Sequence, residues 1–423
     1  MTETKKQVEN LFRYEYGKII GVLINKFGPS NIEKIEDAVQ DALLKAMQVW
    51  GYKNLPDNPT SWLYRVATNN LIDALRRDKK MLLKAYDKTI LVENYISIPE
   101  IVLESAISDS QLKMIFACCH PSLSVDYQII LSLKLIGGFG NKEIAKALLK
   151  KEESVAKSYT RAKKQLNSNI TTLDIPIEMG LQSRLSIVLK VIYLLFSEGY
   201  ASSIGSDIIK RDICLEAIRL ALLLSENEYC NRPNVNALLA LMCFHTSRFE
   251  ARVNEARELV DLEHQDRTKY DKTLIAIGIE HLEKASKAVL EPSNYHLEAA
   301  VSYYHCIAKT FELTDWNSIL NLYNLQLKRQ YSPVVQLNRI VPYYKVNGAK
   351  MAMSKLLEFE DNTYFKVSVL YYAIKAELLL KLGSKVETLV ALKNAIDLTE
   401  NEMEQKHFLN KMVQLRKEMI DNQ

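Results

Sequence analysis

The sequence predicts an all-α fold: two small helical domains, the second ending in a helix-turn-helix unit, then a C-terminal domain of helical, tetratricopeptide-like repeats. Three observations predict it. Apolar residues recur at helical spacing in nearly every patterned segment, and β-branched alternation is rare. Gly and Pro are scarce, 13 and 10 in 423 residues, so helix breakers are few. Gly348 and Gly383 lie 35 residues apart, and each separates two helical patterns, close to the roughly 34-residue period of tetratricopeptide repeats.

The composition is that of a globular chain, 48% hydrophobic and 25% charged. No apolar run approaches the roughly 20 residues needed to cross a bilayer, and "MTETKKQVEN" lacks the apolar core of a signal peptide. Together these predict a cytoplasmic protein without a membrane partner. Six cysteines, at 118, 119, 214, 230, 243 and 306, show no CxxC spacing and are expected to be buried apolar residues, not a metal site or disulfides. Adjacent Cys118, Cys119 and His120 point in different directions on a helix, so no tetrahedral site forms there without distant ligands. Charge is unevenly distributed. Residues 1–173 hold 25 Lys and Arg against 19 Asp and Glu, and residues 174–423 hold 30 against 32. The basic excess falls where a polyanion would be met.

In order along the chain, residues 8–80 form a first helical block. Within it "IEKIEDAVQDALLKAM" turns Ala38, Val39, Ala42, Leu43 and Ala46 inward and Asp37, Gln40, Asp41, Leu44 and Lys45 outward. An outward leucine among acids suits a protein-docking face, or an ordinary solvated one. "NPTSWLYRVATNNLIDALRR" places Leu63, Tyr64, Ala67, Leu71, Ala74 and Leu75 on one side. Trp62, Arg65, Asn69, Asp73 and Arg76 lie on the other, with Asn70 and Arg77 beside them. Aromatic, amide and guanidinium groups together suit an opened nucleic-acid strand, because they stack on bases, read base edges and hold phosphates. The alternative is that Trp62 covers the loop before it.

Residues 81–107 have a weaker pattern and read as a linker. Residues 108–170 form the second block, ending in "NKEIAKALLKKEESVAKSYTRAKKQL". Its last helix carries an apolar stripe of Val155, Tyr159, Ala162 and Leu166. Lys157, Thr160, Arg161 and Lys164 face away from that stripe, flanked by Ser158 and Lys163. Braced by Ile144, Ala145, Leu148 and Leu149 and by "VDYQIILSLKLI", this makes a helix-turn-helix, with a cationic, polar face for the major groove. Leu149 stands where the turn glycine is usual, and a solvated Lys-rich face is the competing reading.

The order of these motifs resembles the extracytoplasmic-function group of the sigma-70 family, the promoter-specificity subunits of bacterial RNA polymerase. "DAVQDALLKA" resembles the core-binding part of the second conserved region. "PTSWLYRVATNNLIDALRR" resembles the part that recognises and melts the minus-ten element, and residues 141–166 resemble the minus-thirty-five reader of the fourth region. "VIYLLFSEGYASSIG", "ALLALMCFHTSRFEARV", "HQDRTKYD" and "SPVVQLNRIV" resemble the long repeat-bearing extension of one sigma subgroup. Three positions depart from the family: Ser158 where Arg is common, Tyr159 where Leu is usual, and Gln40 where an acid is frequent.

The resemblance implies region 2 at 8–80, a linker at 81–107 passing near the polymerase active channel, region 4 at 108–170 and a regulatory C-terminal domain at 180–423. It implies core binding by Asp37, Gln40, Asp41 and Leu44, on the beta-prime clamp and beta subunits. Minus-ten contacts fall to Trp62, Arg65, Asn69, Asn70, Asp73, Arg76 and Arg77, on duplex and on melted non-template strand. Minus-thirty-five contacts fall to Lys157, Ser158, Thr160, Arg161, Lys163 and Lys164. The C-terminal domain would modulate this activity and take a protein partner. No catalysis, cofactor or metal is expected: no Gly-rich phosphate loop, His-x-x-x-His pair or nucleophile elbow is present. "HQDRTKYD", at 264–271, is the best remaining polar cluster and is expected to cap helices and bind a partner. The alternative reading is a conventional helix-turn-helix regulator with a tetratricopeptide-like sensor domain, which leaves the Trp62–Arg77 surface unexplained.

Overall fold

The computed structural model describes residues 3–50, 56–82, 100–148, 150–170, 173–175, 179–200, 211–256, 258–287 and 291–421. The chain divides into two compact units, Met1–Leu195 and Phe196–Gln423. The first contains α1 (Glu3–Phe27), α2 (Ile32–Trp50), α3 (Pro59–Leu82), α4 (Glu100–Cys118), α5 (Val125–Leu131), α6 (Asn141–Ala147) and α7 (Glu152–Asn169); α8 (Met179–Tyr200) ends in the second. Most of the expected linker, 83–99, lies outside the described residues, as does Leu149.

Helix periodicity builds the first core. Ile20, Leu23 and Ile24 of α1 are fully buried, as are Ile32, Ile35, Val39 and Ala42 of α2 and Leu63, Ala67 and Leu71 of α3. Leu43, expected inward, is half-buried. α5 opens on Ser124, whose hydroxyl accepts the Tyr127 N–H, a regular N-cap. It runs on as a π-helical segment, Ser132–Ile136, closed by Gly137 N–H donating to Ser132 O at 3.0 Å. That widened turn pushes the Ile136 carbonyl toward α1, where Gly17 receives it: a Cβ there would lie 1.8 Å from that oxygen. α8 carries an apolar window the sequence reading passed over, Gly180–Ser197, of membrane-spanning length and hydropathy. Its apolar residues are core: Leu185, Val188, Leu189 and Ile192 are buried.

The second unit holds α9 (Arg211–Glu226), α10 (Pro233–Thr246), α11 (Phe249–Arg252), α12 (Lys272–Ser286), α13 (Asn294–Ile307), α14 (Trp316–Arg329), α15 (Pro333–Asn347), α16 (Ala349–Leu357), α17 (Thr363–Lys366), α18 (Val369–Lys381), α19 (Lys385–Leu398) and α20 (Glu402–Ile420). No strand occurs among the described residues; Val253 and Leu259 form an isolated antiparallel bridge. The glycine turns are where the spacing puts them. Gly348 joins α15 to α16 at φ 86° and Gly383 precedes α19 at φ 84°. A Cβ at either meets nothing within 4 Å, so the left-handed backbone alone selects glycine. Leu337, Leu356, Phe365 and Ala395 are buried in one continuous core of this region. A groove of about 520 Å³ opens beside it, lined by Met353, Leu357, Tyr372 and Val390 among others.

A third segment has the helix-turn-helix shape of the repeats in sequence, without the glycine, but does not fold as one. "LMCFHTSRFEARVNEARELV" reads as helix, turn, helix, but after α10 the helix α11 lasts four residues and gives way to the bridge. The Asn254 side chain accepts the Glu258 N–H at 2.8 Å, an Asn-driven turn that competes with helix.

Gly17→Ala is expected to destabilise the first unit by about 3 kcal/mol, because the clash is with backbone and cannot relax by rotamer change. Calorimetry of the full chain tests it. A melting temperature unchanged from the parent would show that α1 does not approach the π segment this closely.

Candidate nucleic-acid interface

α7 presents two faces as its periodicity demands. Val155, Tyr159, Ala162 and Leu166 are buried, whereas Lys157, Thr160, Arg161 and Lys164 are exposed and Ser158 is half-buried. Thr160 Oγ1 donates back to Ala156 O at 3.1 Å, and Lys157 pairs with Glu153 one turn earlier at 2.6 Å. Both pairings are exposed and exchange readily with water or phosphate. In the first turn of α6 the Glu143 carboxylate accepts the Gly140 N–H at 2.7 Å. It buries Ile144 and Ala145. Lys150 of the turn pairs with Asp126 of α5.

Lys163 differs from its neighbours. Its Nζ donates to Glu36 Oε2 at 2.8 Å and lies 3.8 Å from Glu33. Tyr159 Oη donates to Glu36 Oε1 at 2.6 Å, and Tyr16 Oη of α1 donates to the same oxygen at 3.1 Å. Glu36 itself is 6% exposed. One carboxylate of α2 thus collects donors from α1 and α7. Burial, then the Glu36 charge, raises both tyrosine pKa values well above the phenol range, so both hydroxyls stay protonated donors. Lys163 also sits 4.8 Å from the Tyr159 ring centroid, a cation–π contact that supports the same placement.

Sequence reasoning missed Glu36. The signal was present: it falls four residues after Ile32 and three before Val39, inside the apolar stripe of α2, where a charge requires a partner. Tyr159 in place of the usual Leu supplies one.

On α3, Arg65, Asn69, Asp73, Arg76 and Arg77 are exposed, and Trp62 and Asn70 are half-buried. Trp62 meets Trp50 at the end of α2 with ring centroids 5.4 Å apart. Asn70 Nδ2 donates to the Ala38 carbonyl at 3.5 Å. Arg76 pairs with Asp73 at 3.6 Å, and Arg77 Nε donates to the Asp73 carbonyl. On α2, Asp37, Gln40, Asp41 and Leu44 are all exposed, Leu44 by 57%. The two sets of residues singled out from the sequence thus lie on helices α2 and α3, which pack against each other.

All six cysteines are free and buried, and no cluster of metal-ligating side chains occurs among the described residues. "HQDRTKYD" does cap helices. Asp271 accepts the Leu274 N–H at the start of α12, and Arg267 Nη1 donates to the His305 and Ala308 carbonyls at the end of α13.

Glu36→Gln keeps the shape but removes the charge that holds Lys163. The expected cost is about 2 kcal/mol, read as a lower denaturant midpoint. An unchanged midpoint would mean that the buried pair adds nothing to the fold.

Comparison with known proteins finds three family models along the chain. Residues 11–81 match the family model described as Sigma-70 region 2, and residues 113–166 match Sigma-70, region 4. Residues 184–286 match a family of unknown function, DUF6596. Uncharacterized protein R00370 of Rhizobium meliloti (strain 1021) is 31% identical over 389 residues, covering 91% of this chain and 90% of that protein. No solved structure matches. With α1 to α3 carrying region 2, α7 closing region 4 and the extension following in sequence, the chain belongs to the sigma-70 family of RNA polymerase sigma factors, as a member of the extracytoplasmic-function type with a C-terminal DUF6596 extension.

Proposed function

We propose a division of labour within promoter-specific initiation, with RNA polymerase core and promoter DNA as the partners. Residues 8–80 dock and melt, 81–107 thread toward the active channel, 108–170 anchor the upstream element, and 180–423 modulate the assembly in the cytoplasm. Asp37, Gln40, Asp41 and Leu44 dock on the beta-prime clamp. Lys157, Ser158, Thr160, Arg161 and Lys164 enter the major groove at minus thirty-five. The carrying observation is that α7 buries its apolar stripe while leaving these polar and cationic groups in solvent.

Trp62, Arg65, Asn69, Asn70, Asp73, Arg76 and Arg77 act at minus ten. Opening a duplex costs a few kcal/mol per unstacked base, and stacking on an aromatic ring returns about 1–3 kcal/mol per base. Trp62 supplies that ring after leaving Trp50, while amides and guanidinium groups hold the flanking base edges and phosphates. The polymerase forms the phosphodiester bonds.

The Glu36 contact makes this a two-state device. Elements at ten and thirty-five lie roughly 25 steps apart, about 85 Å of duplex at 3.4 Å per step. A compact unit of this length has a radius of gyration of about 16 Å. With α7 held on Glu36, the two readers cannot span the promoter. Core binding must separate them, and Lys163 then joins the DNA face.

Two measurements test this reading. Run-off transcription with core polymerase, on a promoter upstream of the protein's own gene, should depend on addition of the protein. Failure of initiation, together with tight duplex binding by the free protein, would replace this reading with the conventional regulator. Comparing the full chain with residues 1–173 gives the sign of modulation. Trp62→Ala should leave promoter-duplex binding by the holoenzyme intact but reduce permanganate-reactive thymines at minus ten about tenfold. Equal reactivity would remove Trp62 from melting.

A further inference from the structure

Three arginines of the second unit, one buried and two half-buried, form no direct ion pair among the described residues, although the Glu312 carboxylate feels the charge of Arg267. Arg248, in the turn between α10 and α11, is 7% exposed. Its Nη2 donates to Tyr200 Oη at 2.9 Å and faces His245 Nδ1 at 3.1 Å. Arg252 lies 4.0 Å from the Tyr200 ring centroid and donates to the Tyr200 carbonyl at 2.9 Å. Arg267, from "HQDRTKYD", donates to the last carbonyls of α13. The negative ends of α8 and α13 account for Arg252 and Arg267. Nothing comparable accounts for Arg248, which touches a phenol and an imidazole. Among the described residues, no carboxylate pairs with any of the three arginines.

Nitrogens in this region are also left without partners. Arg248 Nε, Arg267 Nη2 and His305 Nδ1 are each buried without a hydrogen-bond partner among the described residues. The three residues belong to one neighbourhood. Arg267 bonds the His305 carbonyl, and the Ser247 hydroxyl beside Arg248 lies 3.7 Å from the Cys306 thiol beside His305. Burial, then Arg248 and Arg267, lowers the His305 pKa to about 3, as two nearby unneutralised cations require. A buried charge without a counter-charge is costly, and three unpaired polar atoms together raise that cost. An oxyanion removes both penalties at once. It offers several acceptor lone pairs and matches the Nε edge of a guanidinium.

We propose that Arg248, Arg267 and His305 form a buried oxyanion-binding site in the C-terminal unit, selective for the phosphoryl or carboxylate group of a small molecule. This gives the extension a ligand of its own, independent of the DNA-reading surfaces. His305 meets Trp316 at 5.5 Å between ring centroids, so occupancy reports through tryptophan fluorescence.

The test uses the full chain at constant ionic strength, titrated with inorganic phosphate in one arm and acetate in the other, with KCl as the reference. Saturable binding of either anion, raising the melting temperature above the KCl value, is the expected result. The arm that saturates identifies the group. Arg248→Gln should weaken that binding at least tenfold. This separates the site from loose phosphate contacts on the basic face of α7, which the substitution leaves intact. Should Arg248→Gln fail to fold, Arg267→Lys provides the second probe, keeping a cation for the α13 carbonyls while removing Nη2. No response to either anion beyond KCl overturns the site, as does unaltered affinity in a folded variant.

Discussion

The Glu36 carboxylate is the constraint on which the first unit depends. A charge on the apolar stripe of α2 cannot be solvated where it stands, so the fold must bring donors to it. Two hydroxyls and one ammonium answer, from α1 and α7. Removing a carboxylate from water costs several kcal/mol, and only well-placed donors repay it. The contact therefore specifies geometry more than it adds stability. It fixes the rotation of α7 about its axis, turning Lys157, Thr160, Arg161 and Lys164 outward while drawing Lys163 inward.

That constraint connects to function through competition. Lys163 can neutralise Glu36 or a phosphate, not both. The closest approach of α1 to the π segment, at Gly17 and Ile136, acts in the same sense, joining region 2 to the brace of the helix-turn-helix. The segments that match sigma-70 regions 2 and 4 thus pack side by side through Glu36. Under the proposed division of labour, the energy of separation comes from docking of polymerase core on α2. This offers a physical reason why a dissociable initiation subunit would read DNA poorly alone. In the C-terminal unit the same rule operates with opposite sign: Arg248 is a buried cation that lacks a counter-charge.

Much of this was legible from residue order. Period and breakers located α2, α3 and α7 with most inward-read residues buried, Leu43, Tyr64, Ala74 and Leu75 being half-buried, and the turn glycines located α15–α16 and α18–α19. The polar residues of α3 and α7 came out exposed or half-buried as the spacing required, because amphipathic faces follow from helical geometry alone. What periodicity could not supply was pairing between distant helices. Lys163 sits on the edge of its stripe, where side-chain length lets it turn either way, and only Glu36, 127 residues earlier, decides the matter. Tyr159 was visible as a departure from Leu, yet its hydroxyl has meaning only beside that carboxylate. The segment after α10 misled for a local reason: an Asn turn ended a pattern that hydrophobic spacing alone would have continued.

The claim that α7 rests on α2 until polymerase binds is tested most directly by energy transfer. The six native cysteines are buried, so dyes at Gln48→Cys on α2 and Ser168→Cys on α7 label selectively; both positions are exposed. High transfer in the free protein, falling when core polymerase is added, is the result this account predicts. Transfer that stays high in a holoenzyme able to initiate transcription would contradict it, since the readers would then work from the arrangement Glu36 holds.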